Sequence, residues 1–161
     1  MDDLAAVEAA IYDQSFRALD EQARVLDALR ARAGAVVAGA NVATAFLGGL
    51  AGAMRPGPSM RLDSSSWVAV VLFAAAVLLS LVVMTPRPKW VFLHHPHRMI
   101  DTYLDPEAPV SLRHYRRPIT YYNGRNLNAN ARQLRWLFRT LSAASVCLVS
   151  EVVLWLWILA R

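Results

Sequence analysis

The sequence predicts an all-α membrane protein: three transmembrane helices, the first and third extended into a cytosolic helical bundle. Three observations predict it. Apolar residues make up 56% of the 161 residues and charged ones 18%, a balance richer in apolar residues than soluble domains carry. Those apolar residues are gathered into three long runs, two free of charge and the third with a single acid. Outside the runs they recur at alternating spacings of four and three, the mark of helices that pair along a seam.

The first run is 33–54, AGAVVAGANVATAFLGGLAGAM. At ~1.5 Å per residue it reaches about 33 Å, enough for a hydrocarbon core of ~30 Å. The second is 67–85, WVAVVLFAAAVLLSLVVMT, with Trp67 placed as an interfacial anchor. The third is 140–160, TLSAASVCLVSEVVLWLWILA, where Trp155 and Trp157 stand near the far end as an aromatic belt would. One such run can belong to a buried helix of a soluble protein; three together predict spans.

Charge sets the expected orientation. Residues 1–32 hold seven acids against four arginines, net −3, and residues 86–139 hold ten basic residues against three acids, net +7. The connection 55–66, RPGPSMRLDSSS, has only Arg55 and Arg61 as basic residues and reads as a short external loop. Lysine and arginine favour the cytosolic side. The expected order is therefore a cytosolic amphipathic helix (1–32), the first span, the external loop, the second span, a basic cytosolic segment ending in a helix (86–139) and the third span. This places the chain in the cytoplasmic (inner) membrane, N-terminus inside and C-terminus outside. The start, MDDLAAVEAAIYDQ, is acidic and amphipathic where a secretory signal is basic and then apolar, so no signal is expected. The lone Cys147 permits no internal disulfide.

Two seams lie outside the spans. The first is Ala5, Ala9, Tyr12, Phe16, Leu19, Ala23 and Leu26; the second is Leu127, Ala131, Leu134, Phe138 and Leu141. Each stripe must be buried against something, either the other stripe or its own copy in a homo-oligomer. Asn123-Gly124 is expected as a turn before the second seam, with its helix beginning near Arg125. Six prolines between Pro86 and Pro118 predict an irregular stretch over 86–122. Its aromatics and arginines, Arg113, Arg116, Arg117, Tyr121 and Tyr122, are candidate contacts for a ligand or for anionic lipid. Beside a membrane span, a basic segment reads as topology and lipid contact, not as a nucleic-acid surface.

Glu151 is the leading candidate residue. It lies 12 residues past Arg139, so about 18 Å into the span. An ionisable group there is costly unless paired, protonated or hydrated, and suggests function by default. Candidate partners are Asn41, Thr44 and Ser80. The acid can line a pore in an oligomer, or it can join helices as a hydrogen-bonded neutral group. Small residues in the first span, Gly39 and Ala43 with the Gly48-xxx-Gly52 pair, are candidate helix-packing positions. His94-His95-Pro96-His97 matches no zinc spacing, and no metal or cofactor is expected. Without a phosphate loop, nucleophile elbow or paired carboxylates, an enzyme is not expected either.

Two stretches resemble a known group. LDEQARVLDALRARAGAVVAGANVATAFLGG (19–49), with its Arg32-Ala33-Gly34 step, resembles the lead-in helix and first span of SLATT-type and Pycsar-type small bacterial transmembrane effectors. NLNANARQLRWLFRTLSAASVCLVSEVVLWLWIL (126–159) resembles the closing helix of actinobacterial membrane-protein relatives. The resemblance implies an oligomeric effector of antiphage defence that permeabilises the inner membrane, triggered by a nucleotide signal or a partner protein. No separate sensing domain is expected, so the trigger would bind the segment 86–122 or arrive on another protein. The alternative is a non-conducting accessory or scaffold subunit of a larger membrane complex.

Overall fold

The computed structural model describes residues 2–54, 64–86, 90 and 112–161, the side chains of residues 2, 3 and 112–114 excepted. Every regular element among them is helical. Helix α1 runs Asp2–Ala43 and passes through a π-helical turn, Thr44–Gly48, into the short α2, Gly49–Ala53. Helix α3 is Ser64–Met84 and α4 is Leu112–Leu159. Three of these helical stretches are long and apolar enough to cross a membrane. The protein is a multi-spanning, all-α membrane protein. At 48 residues α4 measures about 72 Å, more than twice a hydrocarbon core of ~30 Å, so much of it lies outside the apolar layer.

The start of α4 departs from expectation. The helix begins at Leu112 and runs through both Pro118 and Gly124, so 112–122 is helical and Asn123-Gly124 is no turn. An internal proline forfeits one backbone hydrogen bond and crowds the preceding turn. Tertiary contacts offset this: Ile119 and Asn123, one and five residues on, are both buried. Residues 55–63, 87–89 and 91–111, which include His94, His95 and His97, lie outside the described residues.

The chain divides into two units. One, here the polar unit, comprises residues 1–27 and 87–135. In it α1 and α4 run parallel: Ser15 meets Asn123, and Gln22 Nε2 donates to the Leu127 carbonyl at 3.0 Å. The first seam is buried or half-buried from Ala9 to Leu26, while Ala5 is exposed. The α4 face is more polar than the expected seam. Asn123 and Asn130 are fully buried, whereas Leu127, Ala131 and Leu134 are only half-buried.

The other, apolar unit comprises residues 28–86 and 136–161. Here too α1 and α4 are parallel, with Gly39 against Leu148, Thr44 against Glu151 and Gly48 against Trp155. Helix α3 completes it. Ala51, Ala69, Trp155 and Ile158 form one core cluster. Alanines dominate the interior: Ala33, Ala40, Ala69, Ala76 and Ala144 are fully buried. Lipid gives apolar helices no hydrophobic reason to associate, so contact depends on close backbone approach past small side chains. Phe138, expected in the second seam, is half exposed, since the buried row on α4 runs through Leu137, Leu141 and Ala144.

Candidate functional site

The carboxyl of Glu151 lies wholly inside the apolar unit. Thr44, the first residue of the π-turn, donates its hydroxyl to Glu151 Oε1. A π-turn forces one extra residue into the helix and is frequent at functional positions. Here it sits where α1 faces the buried acid. Glu151 Oε2 has no hydrogen-bond partner among the described residues. Trp155, one turn on, is buried with its indole N–H lacking a hydrogen-bond partner among the described residues. Gly48 admits the Trp155 ring: a Cβ at Gly48 would lie 3.4 Å from it.

The structure joins one expected partner to Glu151 and leaves two apart. Thr44 is bonded to it. Asn41 is exposed on another face of α1. Ser80 is fully buried on α3, but its hydroxyl reaches no hydrogen-bond partner among the described residues. Of the packing candidates, Gly39 and Gly48 abut side chains of α4, Ala43 is half-buried, and Gly52 is exposed. Trp155 belongs to the interior and not to an aromatic belt; Trp157 is half exposed, with the Arg161 guanidinium 3.8 Å above its ring.

The polar unit carries a second site. A groove of about 980 Å³ runs between the start of α1 and the start of α4. Leu4, Val7 and Ile11 line one side, and Arg116, Arg117, Tyr121 and Arg125 the other. Arg117 and Glu8 form an ion pair at 3.5 Å across it, with Arg117 exposed and Glu8 half-buried. Of the expected ligand contacts, Arg116, Arg117 and Tyr121 meet in the groove, while Tyr122 does not line it and the Arg113 side chain is not among those described. The apolar row on α1 and Arg125 escaped the sequence reading. Their signal was present in the spacing of residues 4, 7 and 11, which marks a second apolar stripe on α1.

Next to the groove a hydrogen-bonded chain ties α1 to α4. Asn123 Nδ2 donates to Ser15 Oγ at 2.9 Å, and Ser15 Oγ donates to the Tyr12 carbonyl at 2.7 Å. The Tyr12 hydroxyl meets that of Tyr115 at 3.5 Å. Burial, followed by the Tyr115 hydroxyl, pushes the Tyr12 phenol up to about 12.

No group of three or more His, Cys, Asp or Glu among the described residues could hold a metal ion. Comparison of the chain with protein-family profiles, with curated proteins and with solved structures gave no match.

Proposed function

We propose that the protein is a regulated, non-enzymatic membrane effector that opens a pore or lesion as a homo-oligomer. The polar unit lies in the cytosol and the C-terminus outside, following the basic bias of residues 86–139. One observation carries the reading: Glu151, the one acid buried among the described residues of the apolar unit, with only one carboxyl oxygen hydrogen-bonded among them. A half-satisfied carboxyl costs stability that an apolar side chain of the same volume would not. Packing three helices does not require it. Held inward by Thr44, it defines a closed state; released, it supplies a polar lining between neighbouring copies. The resemblance of 19–49 and 126–159 to small bacterial transmembrane effectors points the same way, to antiphage defence under a nucleotide or protein trigger.

The test is ion flux from liposomes carrying the purified protein, with membrane potential followed in expressing cells. Thr44→Val should raise the leak several-fold over wild type, and Glu151→Leu should silence it. Wild type and Thr44→Val both failing to conduct at every protein density, with candidate triggers supplied, would sink the proposal.

A second reading is favoured by the groove in the polar unit: a non-conducting accessory subunit that docks a larger complex. It expects copurification with that complex and no flux from any variant.

A further inference from the structure

We infer that the groove between the starts of α1 and α4 receives an acidic amphipathic helix of a partner protein. The groove pairs an apolar row with a cationic rim. Leu4, Val7 and Ile11 are 64%, 53% and 48% exposed, at the i, i+3, i+7 spacing by which one helix reads the apolar face of another. Among the described lining residues, Arg116, Arg117 and Arg125 stand against one acid, Glu8, leaving +2 by formal charge.

Among the described residues of the polar unit, α1 and α4 leave the row on α1 exposed.

Charge selects among occupants. A second copy of this chain in the same membrane, related by a two-fold axis, would set its cationic side against the first copy's apolar row, a mismatch for both. A free nucleotide would satisfy the arginines but leave the apolar row in water. An amphipathic helix with Asp or Glu flanking its apolar stripe satisfies both features. Rim charges of this kind act chiefly on association rate and salt dependence, while the apolar row holds the complex. The inference is independent of conduction, since a docked helix can trigger an effector or anchor an accessory subunit.

The test uses the full chain in detergent micelles and three labelled helical peptides. One carries leucine at i, i+3 and i+7 with flanking glutamates; one has the same composition with the stripe scrambled; one has lysine for each glutamate. Fluorescence anisotropy should show saturable binding of the first and at least tenfold weaker binding of the other two. Val7→Asp should abolish binding. The Arg116→Glu, Arg125→Glu double variant should weaken it at least tenfold at low salt, and by less at high salt. All these residues line an open groove, and unchanged far-ultraviolet circular dichroism checks that each variant is folded. Equal binding of the striped and scrambled peptides, or full binding by Val7→Asp, would overturn the inference. So would displacement of the peptide by ATP at stoichiometric concentration. A dimer of the wild-type chain in sedimentation that Val7→Asp dissolves would also overturn it, by assigning the groove to a second copy.

Discussion

The polar and apolar units use the same two helices in the same parallel arrangement, yet their interiors differ: buried amides mark the first and buried alanines the second. The polar unit buries leucines beside amide and hydroxyl side chains: Leu19 and Leu26 with Ser15, Asn123 and Asn130. Among its described residues the apolar unit buries six alanines beside Leu29, Val83, Leu137, Leu141, Trp155 and Ile158, around one acid. Water drives large apolar side chains inward, and buried amides at seam positions then fix register at some cost in stability. Lipid supplies no such drive, so helices there gain by approaching closely, and size matters more than hydrophobicity. One pair of helices thus obeys two sets of rules along its length.

Mutations of opposite sense test this division. Leu19→Ala should cost the polar unit ~2–5 kcal/mol, the usual range for a buried leucine. Ala76→Leu, at a fully buried position in the apolar unit, should cost ~1–3 kcal/mol by overpacking. Thermal unfolding of the purified protein, followed by circular dichroism, reads both. A silent Ala76→Leu would break the comparison, because it would mean that the apolar unit does not depend on close approach.

The same substitution in both units sharpens it. A Cβ at Gly124, in the polar unit, meets nothing within 4 Å, so Gly124→Ala should stabilise the protein by ~0.8–1 kcal/mol through helix propensity alone. At Gly39 a Cβ would come 3.4 Å from Leu148, and the gain should be smaller.

The smallest expected effect belongs to pH. The Tyr12 phenol is raised from 10.0 to about 12 in the folded chain, chiefly by burial. The neutral hydroxyl's contribution is therefore complete below pH 10 and is lost as pH rises through about 12. Tyr12→Phe should flatten that loss, and tyrosinate absorbance at high pH should lose the late-titrating component contributed by Tyr12.

The spans were legible because charge-free runs of such length have few other uses. The Thr44–Glu151 pair was half legible. Depth along the helices nominated Asn41 and Thr44 together, but only the register between α1 and α4 places Thr44 on the facing side. The interior of the polar unit was harder to read, since a seam sought among apolar residues passes over Asn123 and Asn130. The period was nonetheless there: Asn123, Asn130, Leu137, Ala144, Glu151 and Ile158 stand seven apart and are all buried. Pro118 and Gly124 misled for a related reason. Local breakers are overruled when the residues around them are held by a partner helix, a contact that local sequence does not record.

The order in which the chain is synthesised gives the buried acid a further consequence. Thr44 precedes Glu151 by 107 residues, so at ~5–20 residues per second it leaves the ribosome about 5–20 s earlier. The third span therefore carries its carboxyl toward a bilayer that already holds the hydroxyl donor. Insertion of the burdened segment thus follows that of its partner.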